Sequence, residues 1–396
     1  MTNLLRSGVP NERTAFLQKD LTRVLRAGHP WVYRKALRRF DSKPGDIVTV
    51  RGPNKRFVGR GVAEAGPIAV RLWTTRDEPI NGNFIRRRVR EAVALRRRLT
   101  PPSTDAMRLL HGEGDRLGGV VCDRYGDIGV LRLDGEASRA WRSEIVEALV
   151  AEAHLDGLLV KTGRRGETKV ELAHGEVADS PVEVTEYGMK LLVDVWRGQK
   201  TGLFLDHRES RRAVRRMAEG MRVLNLYGYT GGFSIAAGLG GARDVETVDV
   251  AKGALGFATK SWQANGLAPN LHRTHAADVP KFLEKARAGR QTWDLIVSDP
   301  PSFAPKEDAK RGAMRAYRAL HRSCLRMVTD GGLYLAASCS SHVDRDAFEQ
   351  TVRDASEKAG VVLQVLGRWG AAPDHPRLLA FPEGDYLTVV LCRVSR

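Results

Sequence analysis

The sequence predicts an α/β protein: a doubly wound parallel sheet in its C-terminal half, preceded by a small β-barrel and a central α+β module. Three observations predict it. From about Gly198 onward, short apolar strands alternate regularly with helices, the order that a parallel sheet covered on both faces imposes. Before that point strands cluster without such alternation, and 396 residues are enough for roughly two to four domains. The composition, 42% hydrophobic and 28% charged with 40 glycines, supplies more than one core and excludes global disorder.

The first stretch, taken as residues 1–75, is strand-like and rich in turns. Ile47-Val48-Thr49-Val50 lies between Pro44-Gly45-Asp46 and Gly52-Pro53-Asn54, and a further strand over 68–73 follows Gly66-Pro67. Gly28-His29-Pro30-Trp31-Val32-Tyr33-Arg34 sets two aromatics amid Arg23, Arg26, Arg34, Lys35, Arg38 and Arg39. Trp31 and Tyr33 read either as barrel core or as rings that stack on bases while Arg34 holds phosphate.

The second stretch, residues 76–188, opens on a helix. Ile85, Val89, Ala92, Val93 and Leu99 share helical spacing, while Arg86, Arg87, Arg88, Arg90, Arg96, Arg97 and Arg98 fill the other faces around one acid, Glu91. A merely solvated face mixes its signs, so phosphate contact by Arg86, Arg87 and Arg88 is the favoured reading. Strands over 119–122, 128–133 and 157–161, a helix over 137–153, and strands over 182–184 and 191–193 complete the α+β module. In the third stretch, residues 189–396, strands are expected at 222–226, 244–249, near 271–276, 295–298 and 332–337, with helices including 253–265 and 306–329.

Charge and cysteine usage narrow the function. Sixty-four Lys and Arg against 47 Asp and Glu give a net +17, which disposes the surface toward polyanions, nucleic acid foremost. Cys122, Cys324, Cys339 and Cys392 are too few for a disulfide framework, and no CxxC pair suggests a zinc site, so no metal and a reducing cytosol are expected. No apolar run approaches the roughly 20 residues of a membrane span, and residues 1–23 lack a signal layout, so a cytoplasmic chain free of membrane is expected.

The chemistry concentrates at strand ends. Tyr227-Gly228-Tyr229-Thr230-Gly231-Gly232-Phe233-Ser234 is a glycine-rich turn between a strand and a helix, where backbone N–H groups can approach a ligand. Asp249 ends the next strand and can accept both ribose hydroxyls of a nucleoside. The turn is not GxGxxG, so S-adenosylmethionine, which has ribose but no phosphate, fits better than a dinucleotide. Asp278 either reaches the adenine edge or caps the helix behind it. Asp299-Pro300-Pro301-Ser302-Phe303 follows an apolar strand, and its prolines enforce an extended chain that presents Asp299 to a nucleobase. Cys339, in Ser338-Cys339-Ser340-Ser341-His342, ends the following strand. Alone it would read as a small buried Cys. Beside the other motifs it reads as a nucleophile for carbon 6 of a pyrimidine, which activates carbon 5 toward a methyl sulfonium.

Together these residues resemble the bacterial large-subunit ribosomal RNA methyltransferases that act on carbon 5 of cytosine, class I S-adenosylmethionine-dependent enzymes with a PUA domain, a central α+β domain and a Rossmann-like domain. The resemblance covers almost the whole chain. Residues 28–33 with Pro44-Gly45-Asp46 resemble the PUA domain. Gly112-Glu113-Gly114-Asp115-Arg116 and Asp123-Arg124-Tyr125-Gly126-Asp127 resemble the central one. Gly198-Gln199-Lys200-Thr201-Gly202-Leu203-Phe204-Leu205-Asp206 resembles the segment that lies against the cofactor, which implies cofactor contact for Gln199, Lys200, Thr201 and Phe204. The cofactor loop match begins at Leu224-Asn225-Leu226 and adds Asn225, while Asp374-His375-Pro376 and residues 381–386 match a C-terminal signature. The resemblance implies a ribosomal RNA substrate, catalysis by Cys339 and Asp299, and leaves the oligomeric state open, a homodimer among the options. Two departures stand out: Leu203 where aromatics are usual, and Ser302 instead of a Cys after Asp-Pro-Pro, so release must use another base. Relatives of this architecture also act on guanine, so transfer to a base nitrogen is the alternative, and a non-catalytic RNA-binding assembly factor a more distant one.

Overall fold

A computed structural model describes residues 11–163, 168–304 and 307–396. The first ten residues of the expected barrel module, and Lys306 at the expected start of a helix, lie outside the described residues. Strands β1 (Glu12–Phe16), β2 (Trp31–Tyr33), β3 (Ile47–Arg51), β4 (Phe57–Ala63) and β5 (Ile68–Thr74) pair in the order β1-β3-β4-β5-β2, and α1 (Thr22–Arg26) accompanies them. A bridge between Leu17 and Leu37 draws the two edges of this sheet together, closing it around Val32, Val48, Val50, Val58 and Val70.

Helix α2 (Gly82–Leu99) begins where the Asn81 side chain accepts the Phe84 N–H at 3.0 Å and stops before Pro101. Its apolar stripe of Ile85, Val89, Ala92 and Val93 is buried as the spacing predicts. Arg96 departs from the expectation of a surface charge: it is fully buried, with both terminal nitrogens on Asp115 at 2.6 and 2.7 Å and one also on the Asp374 carbonyl at 2.9 Å. The sheet beneath contains β6 (Ala106–His111), β7 (Val120–Tyr125), β8 (Ile128–Leu133), β9 (Gly157–Thr162) and β10 (Lys169–Gly175), in reverse order of sequence. The helix expected over 137–153 is two helices, α3 (Glu136–Ala140) and α4 (Arg142–Ala153). Trp141 breaks it, because its buried indole donates to the Gly45 carbonyl at 3.0 Å and pulls the chain out of helical register.

A hairpin of β11 (Val182–Glu186) and β12 (Met189–Val193) follows, and the expected module boundary at 188/189 falls in its turn. The hairpin docks forward along the chain: Leu192 N–H donates to Ser261 at 3.0 Å. Then come α5 (Arg208–Met217), β13 (Arg222–Leu226), α6 (Gly232–Leu239), β14 (Asp244–Asp249), α7 (Lys252–Ala264), β15 (His272–Ala276) and α8 (Val279–Ala288). The last elements are β16 (Trp293–Ser298), α9 (Lys310–Leu325), β17 (Val328–Ser338), α10 (Arg345–Ala359), β18 (Val362–Trp369) and β19 (Thr388–Ser395). The helix expected to reach 329 ends at Leu325, since Val328 is already paired with Trp293 in the sheet.

The seven strands run in the order β15-β14-β13-β16-β17-β19-β18, the first five parallel and β19 antiparallel to both its neighbours. Strand order reverses between β13 and β16, the point at which open α/β sheets bind ligands beyond their carboxyl ends. Tyr227, Asp249, Asp299 and Cys339 each follow or end one of these parallel strands, so the sheet gathers at one edge what the sequence spreads over more than a hundred residues.

Candidate active site

These strand ends enclose a cavity of about 200 Å3. Of the residues expected at a cofactor, Gln199, Lys200, Phe204, Tyr227, Tyr229, Thr230, Asp249 and Asp299 line it, and so does Cys339. Backbone strain concentrates here. Lys200, Tyr227 and Tyr229 adopt left-handed conformations with φ of 53, 57 and 47°, a cost borne by non-glycine residues chiefly where function requires it. Gly231 sits at φ 78° directly before α6, and a Cβ there would lie 2.5 Å from that of Ala258, so the turn can pack onto α7 only as glycine.

Asp249 is held by two backbone donors, Tyr229 N–H at 2.9 Å and Ala251 N–H at 2.8 Å. The Tyr229 hydroxyl accepts the Gln199 N–H at 2.9 Å and contacts the Gly202 carbonyl at 3.2 Å, pinning the 198–206 segment over the turn. Lys161, buried in β9, donates to the Gly198 carbonyl at 3.0 Å, and burial lowers its pKa to about 8. The Lys200 ammonium lies 4.7 Å from the centre of the Phe204 ring.

On the opposite wall, Cys339 Sγ lies 3.9 Å from the Pro300 carbonyl. Burial, and then the Asp299 carboxylate, push its thiol up to about 11, with Lys200 pulling the other way. The flanking serines explain themselves as braces. Ser340 Oγ accepts the Phe303 N–H at 3.2 Å, and the Tyr317 hydroxyl lies 2.8 and 2.9 Å from Ser338 and Ser340. They tie the Asp-Pro-Pro turn to the cysteine strand.

Four expected cofactor residues stand elsewhere. Thr201 turns into the central module, its hydroxyl on Asp123 and against Tyr125. Asn225 is buried behind the turn, donating to Ser234 at 2.9 Å, and Gly231 supports the turn without lining the cavity. Asp278 caps α8, accepting the Lys281 N–H at 3.2 Å. In their stead Asp206, His207, Arg211 and Phe233 line the cavity. Arg211 clamps Glu186 of the hairpin and the Phe204 carbonyl at 2.9 Å. Asp206 accepts the Tyr386 hydroxyl at 2.8 Å; burial opposes its charge, but His207 and Lys200 outweigh it and hold the carboxyl well below the usual range. His207 Nε2 is 3.2 Å from Asp299. In the sequence Asp206, His207 and Arg211 are marked only by position, at or just past the end of the 198–206 segment, whereas Phe233 belongs to the glycine-rich turn itself.

The S-adenosylmethionine-dependent methyltransferase family matches residues 139–378, and the PUA-like domain family matches residues 16–75. The chain belongs to this methyltransferase family. Among curated relatives of this methyltransferase, ribosomal RNA large subunit methyltransferase I of Shewanella denitrificans is 36% identical, covering 96% of this chain and 98% of the relative. The protein of that name from Erwinia tasmaniensis is 34% identical over 96% and 98%. A solved Streptococcus mutans chain described as a SAM-dependent methyltransferase shares the fold at a TM-score of 0.86 and 24% identity, over 96% and 99%. A second solved methyltransferase, complexed with SAH, has the same TM-score and identity over 97% and 100%. The cofactor of this methyltransferase is S-adenosylmethionine, and the cavity offers an acid at the end of β14, aromatic walls in Phe204, Tyr229 and Phe233, and an arginine, Arg211, already paired with Glu186.

The residues expected to meet RNA lie away from this cavity, and most carry partners of their own. Trp31 donates its indole N–H to Glu113 at 2.9 Å and packs edge-on against Phe381, 4.6 Å between centroids, so it joins modules more than it fills the barrel. Tyr33 is half-buried, and Arg34 donates to the Gly66 and Glu64 carbonyls at 3.0 Å. Folding supplies acids that the arginine run lacks in sequence, Glu152 for Arg86 at 2.6 Å and Glu78 for Arg87 at 2.6 Å, while the run's own Glu91 pairs with Arg88 at 3.1 Å. Arg90 and Arg86 together hold the Glu152 carboxyl down at about 2.

Proposed function

We propose that this methyltransferase modifies carbon 5 of a cytosine in large-subunit ribosomal RNA, with Cys339 as nucleophile and Asp299 beside it. The observation that carries the reading is a half-buried thiol on the wall of the cofactor cavity, next to an Asp-Pro-Pro turn, in a chain whose full-length relatives are named for ribosomal RNA. When bound, S-adenosylmethionine supplies an electrophilic methyl group. Cytosine carbon 5 cannot take it until a thiolate has added to carbon 6. With a pKa of about 11, roughly one Cys339 in ten thousand is a thiolate at neutral pH, so docking of the base must drive the loss of its proton. Lys200 favours the anion that results. Asp299 and the carbonyls of its turn hold the base, Asp249 holds the ribose of the cofactor, and Gln199, Phe204, Tyr227, Tyr229 and Thr230 wall the cofactor in. Thr201, Asn225, Gly231 and Asp278 serve this site from behind by shaping the segments that line it.

Three modules divide the work: residues 1–75 and 76–188 hold RNA through Trp31, Tyr33, Arg34, Arg86, Arg87 and Arg88, and residues 189–396 carry the chemistry. The net charge of +17 supports an extended polyanion as substrate. Cys339→Ala tests the reading. The variant is expected to bind cofactor and RNA yet lose methylation, and a 5-fluorocytosine RNA to form a denaturation-resistant adduct with the parent alone. Robust methylation by Cys339→Ala would refute it and favour transfer to a base nitrogen.

A further inference from the structure

Removal of the carbon 5 proton needs an acceptor, and the cavity narrows the choice. Ser302 stands where a second thiol would, and its hydroxyl lies 3.3 Å from Ser340 Oγ. Cys122, Cys324 and Cys392 are buried in other parts of the fold. Lys200 and Arg211 have only donors. Both Asp249 oxygens accept backbone N–H groups, and Asp206, held strongly ionised, is a weak base. Tyr227 and Tyr229 are phenols whose pKa values burial raises. Asp299 remains.

A chain of side chains unused by the chemistry so far ends on it. Trp369 donates its indole N–H to Ser210 Oγ at 2.8 Å, Ser210 Oγ lies 3.2 Å from His207 Nδ1, and His207 Nε2 lies 3.2 Å from Asp299 Oδ2. Among the described residues the Ser210 hydroxyl has no hydrogen-bond partner beyond Trp369 and His207. An indole nitrogen can only donate, so in the neutral imidazole the serine proton goes to His207 Nδ1 and the ring proton sits on Nε2. Against burial, Asp299 and Asp206 raise the His207 pKa, and in the imidazolium Nε2 is protonated as well, so in either state Nε2 gives its hydrogen bond to Asp299 Oδ2. His207 and Ser210 are 3% and 1% exposed, and the Phe233 ring stands 5.4 Å from the imidazole, so water does not compete for these positions. The charged groups facing His207 are Asp299, Asp206 and Arg211.

We propose that Trp369, Ser210 and His207 are positioning residues that hold Asp299 at one oxygen and make its other oxygen the acceptor for the carbon 5 proton. The proposal rests on the cytosine-C5 reading. In the step, the C5–H bond breaks and its proton passes to Asp299 Oδ1. The electron pair of that bond forms the C5–C6 double bond, the C6–Sγ bond breaks, and its pair returns to Cys339 as thiolate. No oxidant or further reactant is required.

The test is the amount of covalent RNA–protein adduct on ordinary cytosine RNA, read on a denaturing gel beside the methyl groups transferred in a single turnover. His207→Ala is expected to complete one transfer and then stall, with adduct at least about tenfold above the parent, less than the roughly hundredfold or more that a positioned base contributes because Asp299 itself is still present. Trp369→Phe keeps an aromatic ring against the core and loses the indole N–H, and is expected to show the same signature more weakly. A merely structural role would reduce transfer and cofactor affinity without accumulating adduct. Multiple turnovers by His207→Ala at the parent rate with no adduct would overturn the proposal, as would lost transfer without adduct while cofactor is still bound. Should His207→Ala fail to bind cofactor, the absence of adduct in a folded Trp369→Phe overturns it. Full activity of Cys339→Ala is a separate result that removes the cytosine-C5 reading itself.

Discussion

The Cys339 thiol can be titrated in the intact protein by its reaction with iodoacetamide. Its pKa of about 11, against 9.0 for an ordinary cysteine, means about a hundredfold less thiolate at neutral pH. A more basic thiolate is also the better nucleophile, and a Brønsted slope of about 0.4–0.5 returns some six- to tenfold, so the net rate at pH 7.5 is expected to be roughly tenfold below that of a peptide thiol. The pH profile is the sharper readout: the rate should climb about tenfold per pH unit from 7 to 10 and level only near 11. Mass spectrometry of the Cys339 peptide follows the reaction, with the fully buried Cys122 and Cys324 as unreactive references. Asp299→Asn removes the carboxylate that ranks after burial among the causes, so its profile should level at lower pH. A parent profile that levels below pH 9 would refute the reasoning, because the thiol would then be no more buried and no closer to a negative charge than a free one.

Asp249→Asn leaves a single side-chain oxygen where two oxygens now serve Tyr229 and Ala251 and, in the proposed complex, the ribose; the loss of about 1.5–3 kcal/mol should weaken S-adenosylmethionine binding about 10- to 150-fold by titration calorimetry, and unchanged affinity would end the ribose assignment. Replacing Arg86, Arg87 and Arg88 together by Ala should flatten the salt dependence of RNA binding, but by less than the roughly 2.1–2.7 expected for three unpaired phosphate contacts, since Glu152, Glu78 and Glu91 already neutralise them. Equal salt slopes for mutant and parent would take α2 out of the RNA footprint.

The location of the candidate site was legible because a parallel sheet turns sequence order into spatial order: an apolar strand followed by a polar or glycine-rich turn marks a carboxyl end wherever it occurs, and Tyr227, Asp249, Asp299 and Cys339 all stand at such places. Groups that act through a distant partner left no local mark. His207 and Arg211 stand in an arginine-rich stretch that reads as a helix surface, and only folding brings Asp299 and Glu186 to them. Arg96 falls in a charge run like its neighbours, yet Asp115 and Asp374 bury it. Trp141 breaks a helix whose own residues favour continuity, because its partner is the Gly45 carbonyl of another module. The strand β1, exposed over its first three residues, offers no clean alternation to read, and its pairing with β3 exists only once the barrel closes.

Asp374 is fully buried, with its carboxylate on both terminal nitrogens of Arg208 and on the Arg108 N–H, and its carbonyl on Arg96. For a chain still emerging from the ribosome this sets a timetable. Arg96 and its acceptor on Asp374 are 278 positions apart, which at synthesis rates of about 5–20 residues per second is roughly 15 to 55 s. Through that interval the nascent central module has a guanidinium with one of its native acceptors not yet made, and the arginine destined for the Asp374 carboxylate waits as well. Completion of the core between the modules is therefore postponed until residue 374 has been made, and a product truncated before it would leave Arg208 without its buried Asp374 partner, a flaw that quality-control proteases can read.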